Sequence, residues 1–141
     1  MGGMLTGKYK SVDEVPSDGR FTHRPGYQGK YWHKANFDAL DVIREATERN
    51  GISMTEATYR WLSCHSMLDG DRGDAILIGA SSLDHLITNM NSVKVGPLPD
   101  EVLSAFEKAW KICRGESREY FTLYKGKGSV GGEKPAGGER K

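Results

Sequence analysis

Apolar residues recur at helical spacing in four stretches of the chain, which are separated by polar or glycine-containing connections. In the last stretch they fall at Leu103, Phe106, Trp110 and Cys113, which we expect to face inward. The spacing predicts helices over about residues 31–50, 53–65, 81–91 and 100–114.

The junction between the first two predicted helices carries stop and start signals. Gly51 follows Asn50 and tolerates the left-handed backbone conformation that ends many helices. Ser53 and Glu56 have the spacing of a capping box, in which each side chain accepts a hydrogen bond from the other residue's backbone N–H. Residues 11–30 are polar and rich in proline and glycine, so they predict a long loop before the first helix.

One short stretch, residues 75–78, is continuously apolar and predicts a strand buried on both faces, as in a parallel sheet. The order loop, helix, helix, strand, helix, helix and tail predicts the α/β class, although one strand alone does not form a sheet. We expect the isolated chain to be mostly helical, with one or two short strands. Unpaired strand edges and exposed apolar helix faces predict loose packing and favour self-association.

The composition limits the functions open to the chain. Its 141 residues suit one domain, placed at residues 1–122, followed by a Gly/Lys-rich tail at 123–141 that we expect to be disordered. A net charge of +1 argues against general nucleic-acid binding, and no apolar run is long enough to predict a membrane span. The four histidines lack metal-ligand spacing, and two cysteines without a C-x-x-C pair indicate a reduced, cytoplasmic protein.

Two glycine motifs match nucleotide-binding patterns in their letters alone. Gly2, Gly7 and Lys8 have the spacing G-x-x-x-x-G-K of a phosphate-binding loop. A triphosphate site is excluded because Tyr9, which cannot replace the magnesium-binding serine or threonine, follows the lysine, and because a loop rather than a helix comes next. The G-x-G-x-x-G match at residues 126–131 lies in the low-complexity tail and carries no weight.

A third stretch, residues 74–89, combines the predicted strand, a glycine turn and a helix that opens with Ser81 and Ser82. The first N–H groups of a helix have no partners within it, and together with the helix dipole they form a receptor for an anion. Both serine hydroxyls can add hydrogen bonds to such an anion. The alternative is that the serines only cap the helix, and spacing alone favours that alternative.

Taken in order, the stretches "GGMLTGKYK", "GRF", "YW", "ATYRWL" and "GDAILIGASSLDHLITN" resemble the C-terminal part of the aldo-keto reductases. The resemblance is to the aflatoxin aldehyde/succinic semialdehyde reductase-like branch and covers roughly residues 2–121. It implies that the chain is a C-terminal fragment of a (β/α)8 TIM barrel. It also implies NADPH-dependent reduction of aldehydes and ketones, with part of the NADPH site on this chain.

The resemblance implies a divided cofactor site. The loop after the seventh barrel strand would lie over the pyrophosphate, and the helix start after the eighth strand would hold the adenosine phosphate. The implied pyrophosphate residues are Gly3, Met4, Leu5, Thr6, Gly7 and Lys8, with Arg20 as a further cofactor contact. The residues implied at the adenosine end are Ser81, Ser82, His85 and Asn89, and those in the substrate pocket are Tyr27 and Lys30.

Two of these positions depart from the family pattern. His85 stands where the family usually has Gln or Arg, and Lys30 replaces a substrate-binding Arg, whose planar fork lysine lacks. The catalytic Asp, Tyr, Lys and His of the family belong to the first six strand–loop units. We therefore expect no catalytic residue and no metal site in this chain, no activity from it alone, and substrate binding only with an N-terminal half. The alternatives are an inactive relative that acts as a binding or regulatory module, and a fragment without function.

Overall fold

The computed structural model describes residues 1–117, and this part of the chain is helical. A short 3-10 turn, Met4–Thr6, opens it, and a second one lies at Gly70–Arg72. The helices are α1 (Arg20–His23), α2 (Pro25–Tyr31), α3 (Lys34–Arg49), α4 (Met54–Cys64), α5 (Leu83–Lys94) and α6 (Asp100–Cys113). The predicted domain boundary at 122, the tail at 123–141 and its glycine motif lie outside the described residues.

The predicted strand at residues 75–78 is wrong for this structure, since no strand occurs within residues 1–117. The segment has no regular secondary structure, and no strand occurs in this part of the chain to form a ladder of hydrogen bonds with it. The predicted burial on both faces is also wrong, because Leu77 is 97% exposed. A helical structure without strands in residues 1–117 is consistent with part of a barrel.

The predicted stop and start signals between α3 and α4 are confirmed. Gly51 has a φ of +64° just beyond the end of α3. The hydroxyl of Ser53 accepts a hydrogen bond of 3.1 Å from the N–H of Glu56 and caps α4. The first predicted helix begins later than expected: Tyr31 is the last residue of α2, and α3 starts at Lys34.

The predicted loop at residues 11–30 is partly helical, since it contains α1 and most of α2. Aromatic side chains fix it to the core: the ring of Phe21 lies 5.2 Å from that of Tyr9 and 4.8 Å from that of Trp32. The indole N–H of Trp32 also donates a hydrogen bond of 2.7 Å to the carbonyl of Val12. These long-range contacts, which spacing does not reveal, give a glycine-rich segment its order.

The four longest helices pack mainly as two pairs, α3 with α6 and α4 with α5. α6 buries Val102, Ala105 and Ala109, whereas Trp110, which we predicted to face inward, is 54% exposed. The small alanine side chains suit a close helix–helix contact, and the wide indole stays at the edge of that contact.

Arg60 joins α4 to the connection before α6. It is buried, its guanidinium donates to the carbonyls of Gly96 and Pro97, and it forms an ion pair of 2.9 Å with Glu56. The imidazole Nε2 of His65 accepts a hydrogen bond of 2.9 Å from the N–H of Leu98. A buried guanidinium is tolerated here because carbonyl and carboxylate oxygens surround it.

One face of α5 is apolar and exposed. Among its apolar side chains, Leu83 is 70% exposed, and Leu86, Ile87 and Met90 are also exposed. The buried residues of α5 are instead Asn89 and Ser92. The expectation that helices of a partial barrel expose apolar faces is thereby met for α5.

Candidate functional site

An open cleft of roughly 900 Å³ lies between the N-terminal turn and the start of α5. α4 forms its floor, since both the 3-10 turn and α5 pack against α4. The residues implied by the resemblance that line the cleft are Gly3, Leu5, Thr6, Lys8, Arg20, Ser81, His85 and Asn89. The structure therefore brings together two stretches that are more than 70 residues apart in sequence.

The first wall of the cleft is the turn from Gly3 to Gly7. Both glycines have positive φ, +92° and +78°, which lets the chain enter and leave a single 3-10 turn. The hydroxyl of Thr6 donates to the Gly3 carbonyl at 2.7 Å and closes the turn. Met4 is fully buried and fixes the turn to the core. The result is a compact loop whose backbone borders the cleft.

Two cationic side chains flank this wall, and each rests on an aromatic ring. The ammonium of Lys8 lies 4.7 Å from the centroid of the Tyr9 ring, and the guanidinium carbon of Arg20 lies 5.2 Å from that of Tyr27. Attraction between a cation and an aromatic face restricts both side chains without using their hydrogen-bond donors. Both residues line the cleft, so their charges act within it.

The second wall is the start of α5, where the two serines have different roles. Ser82 caps the helix, because its hydroxyl accepts a hydrogen bond of 3.2 Å from the N–H of His85. Ser81 makes no such cap; its hydroxyl oxygen lies 2.9 Å from Nδ1 of His85. The amide of Asn89 donates to the Gly79 carbonyl at 3.4 Å, which ties the preceding turn to α5. The capping alternative thus holds for Ser82 and leaves Ser81 on the cleft.

The cleft has an electrostatic bias. Lys8, Arg20 and His85 line it, whereas no aspartate or glutamate does so among the residues that the structure describes. The free N–H groups at the start of α5 add partial positive charge on the same side. Oxygen anions such as phosphate groups suit this donor set, and carboxylate-rich cation sites do not resemble it.

The remaining predicted site residues lie off the cleft. Met4 is buried beneath the turn, and Gly7 faces α4, where an added Cβ would lie 3.0 Å from the sulfur of Met54. Ser82 is occupied as the helix cap. Lys30 lies over the Tyr31 ring at 5.0 Å from its centroid and does not line the cleft.

Tyr27 lines a separate hollow of roughly 310 Å³, which it shares with Arg20, His23 and Arg24. Asp18 lies beside this group, 2.6 Å from the imidazole Nε2 of His23. The hydrogen bond with that imidazole, followed by one from the N–H of Gly19, lowers the pKa of the Asp18 carboxyl. Arg20 lines both the hollow and the cleft and so connects them.

Sequence reasoning missed the polar floor of the cleft. Ser53, Thr55, Thr58 and Tyr59 of α4 and its cap all line it. A signal was present, since these hydroxyl groups cluster within two turns of one helix. No group of three possible metal ligands occurs in the described part of the chain, and none of its helices is both long and apolar enough to cross a membrane.

Comparison with known proteins gives a consistent set of relatives. The sequence matches the family model described as Aldo/keto reductase family over residues 1–111. An aldo-keto reductase of Pseudocercospora fijiensis is 40% identical over 85% of this chain and 42% of its own length. Over the same share of this chain, aldo-keto reductase family 7 member A3 of Homo sapiens is 38% identical and aflatoxin B1 aldehyde reductase member 2 of Rattus norvegicus is 36% identical. Those alignments cover 39% and 35% of these two relatives, so the chain spans only about two fifths of their length.

Proposed function

Because the chain belongs to the aldo/keto reductase family, and its relatives include aflatoxin aldehyde reductases, we propose that its cleft binds NADPH for the reduction of aldehydes or ketones. Since the chain spans about two fifths of the length of these relatives, the proposal concerns its share of that reaction. That share is cofactor binding. NADPH, when bound, supplies the hydride, and the residues of this chain hold its phosphate groups.

The observation that carries the proposal is the convergence of the two predicted phosphate turns on one cleft, which no carboxylate side chain of residues 1–117 lines. A dinucleotide has a pyrophosphate and, in NADPH, a separate adenosine phosphate, so it needs two anion sites joined by a continuous groove. The Gly3–Lys8 turn and Arg20 suit the pyrophosphate. Ser81, His85 and the free N–H groups of α5 suit the adenosine phosphate.

The chain's share of the reaction does not include proton transfer to the carbonyl oxygen. Tyr59 is the one phenol that lines the cleft among the described residues, and no aspartate there is available to orient or tune it. We expect the 141-residue chain to bind cofactor without turnover. Tyr27 and Lys30 are proposed to contact substrate only when the rest of a barrel is supplied.

The test is the binding of NADPH to the purified chain, measured by calorimetry or by the fluorescence of the reduced nicotinamide ring. Lys8→Ala and Arg20→Ala are each expected to weaken binding about tenfold, because each removes a charge-assisted contact with phosphate. Lys10→Ala is the matched control, since Lys10 is exposed and does not line the cleft. Absence of NADPH binding, or an equal loss in the Lys10 variant, contradicts the proposal.

The second candidate function is a binding module for another polypeptide. It is favoured by the exposed apolar face of α5 and by the exposed Leu77, which precedes that helix in the sequence. A further hollow of roughly 630 Å³ is lined mainly by apolar side chains of α3, α4 and α6, including Trp61 and Trp110. This candidate needs no cofactor, so NADPH binding separates the two.

A further inference from the structure

We propose that residues 120–124 of this chain occupy the apolar hollow between α3, α4 and α6. These residues lie outside the described part of the chain, but the surface that receives them is within it. The segment acts as an intramolecular ligand on a surface that is otherwise open to another polypeptide. Its binding does not require NADPH.

The hollow suits apolar side chains. It has a volume of roughly 630 Å³, and most of the side chains that line it are apolar, with aromatic rings from α4 and α6. Trp110 lines the hollow and is 54% exposed, so its indole has room for an apolar neighbour. Exposed apolar surface of this kind marks an interaction site.

One buried polar group in the hollow points to a peptide as the occupant. Asn36 of α3 lines the hollow and is only 6% exposed. Its side-chain nitrogen donates to the Tyr31 carbonyl at 2.8 Å, whereas its side-chain oxygen accepts no hydrogen bond from residues 1–117. A buried acceptor is unfavourable unless a donor reaches it. A peptide segment supplies a backbone N–H donor at every residue except proline.

The chain leaves α6 beside this hollow. Cys113, the last residue of α6, lines the hollow. Its carbonyl accepts hydrogen bonds from the N–H of Glu116 at 3.1 Å and from the hydroxyl of Ser117 at 3.0 Å. Four residues of extended chain beyond Ser117 reach up to about 13 Å, which exceeds the width of a hollow of this volume. Phe121 is therefore within reach of the hollow.

Composition selects residues 120–124 from the part of the chain that follows α6. They carry no charge, and in an extended segment Phe121 and Leu123 point to one side while the three hydroxyl-bearing side chains point to the other. The first side is wholly apolar and suits the hollow, and the second suits solvent. Residues 125–141 are charged and rich in glycine and do not suit an apolar site.

The experiment places the photo-cross-linking residue p-benzoylphenylalanine, which keeps the aromatic ring, at position 121 of the full chain. Irradiation is expected to link it to residues of α3, α4 and α6 that line the hollow, within one molecule. A mixture of isotopically labelled and unlabelled chains distinguishes links within a molecule from links between molecules. The same residue at position 130, in place of Val130, is the matched control and is expected to give no link to the hollow.

Links between two molecules would assign the hollow to a second copy and overturn the proposal. Links that miss the hollow, or an equal yield of hollow links from position 130, overturn it as well.

A second measurement observes the hollow directly. The chain has three tryptophans, of which Trp61 and Trp110 line the hollow, whereas Trp32 packs against Phe21. Phe121→Ser combined with Leu123→Ser is expected to shift the indole N–H NMR signals of Trp61 and Trp110 and to leave that of Trp32 in place. Val130→Ser is the control and is expected to shift none of them. Unchanged signals of Trp61 and Trp110 in the double variant, or an equal shift of all three signals, contradict the proposal.

Discussion

Gly7 stands where both backbone conformation and space favour glycine. Its φ of +78° lies in the left-handed region, and an added Cβ would lie 3.0 Å from the sulfur of Met54, the first residue of α4. A side chain at this position strains the turn and presses it away from α4. The same turn borders the cleft, so its shape depends on this one missing side chain.

Gly7→Ala is expected to lower the free energy of unfolding by about 2 kcal/mol, from left-handed backbone strain and crowding against Met54. Gly29→Ala is the matched control, because Gly29 lies within α2 and a Cβ there meets nothing within 4 Å. The control is expected to gain about 0.5 kcal/mol. Urea titration measures both values. Unchanged stability in Gly7→Ala would show that the turn does not rest on α4.

At the scale of single residues, the sequence predicted local roles well and distant ones poorly. Gly51 and Ser53 were identified because stop and cap signals depend on near neighbours. Arg60 was missed, because its burial depends on carbonyl groups 36 and 37 positions further along the chain. The different roles of Ser81 and Ser82 needed the geometry of the helix start.

Between elements, α3 and α6 are linked at one end by a carboxylate that holds two partners. The carboxylate of Glu101 on α6 accepts a hydrogen bond of 2.9 Å from the side-chain amide of Asn50 and one of 2.7 Å from Nε of Arg49. The hydrogen bond from Asn50, and then that from Arg49, lower the pKa of Glu101 below its ordinary value of 4.5. As the pH falls, the Glu101 carboxylate therefore becomes protonated in the unfolded chain before it does in the folded chain. The stabilisation that Glu101 contributes is lost on acidification.

Glu101→Gln is expected to make the free energy of unfolding less dependent on pH below about 5, since the amide cannot gain or lose that proton. The contribution of Glu101 is present above the ordinary value of 4.5 and disappears as the pH falls through its lowered folded-state pKa. Glu107→Gln on the same helix is the control, because Glu107 forms no ion pair within residues 1–117. Urea titrations between pH 3 and 6 give the slopes. Identical slopes for Glu101→Gln and the unsubstituted chain would refute the link.

Element positions were predictable, but the faces they bury were not. Apolar spacing located α3 to α6 because that signal is local. It did not show that Trp110 is exposed, since the choice of face depends on the partner helix. The apolar run at residues 75–78 predicted a strand, but a strand exists only where a neighbour completes its hydrogen bonds.

The chain as a whole leaves several large apolar side chains exposed between residues 77 and 90, and contiguous exposed apolar surface marks interaction sites. Leu77 is 97% exposed, and Leu83, Ile87 and Met90 on α5 are exposed near it in sequence. The apolar run at residues 75–78 also forms no strand in the described part of the chain. This combination suits contact with a further polypeptide, including a second copy.

Sedimentation experiments at increasing concentration test this surface. The unsubstituted chain is expected to associate, and Leu77→Lys to weaken association at least about tenfold, because a buried leucine contributes about 2 kcal/mol and a buried charge opposes contact. Met67→Lys is the matched control, since Met67 is fully exposed but belongs to neither α5 nor residues 75–78. Monomers at all concentrations, or equal effects of both substitutions, would rule the surface out.

The meeting of the two turns in one cleft could not be read from sequence spacing, because no local signal relates residue 7 to residue 81. Only the resemblance to a family implied it, and the packing of both turns against α4 explains it physically. Neither the spacing nor the resemblance predicted the hydroxyl-rich floor, although its serine, threonine and tyrosine residues stand close together in the sequence.

Because both turns pack against α4, this helix sets the span that a ligand contacting both turns must bridge. Exposed side chains on either turn, such as Lys8 and Ser81, can be exchanged without altering the span between the turns, whereas a side chain at Gly7, which contacts α4, alters it. Substitutions in α4 itself alter that span even where the substituted residues touch no ligand. The chemistry of the two turns and the distance between them are thus separately adjustable properties of this chain.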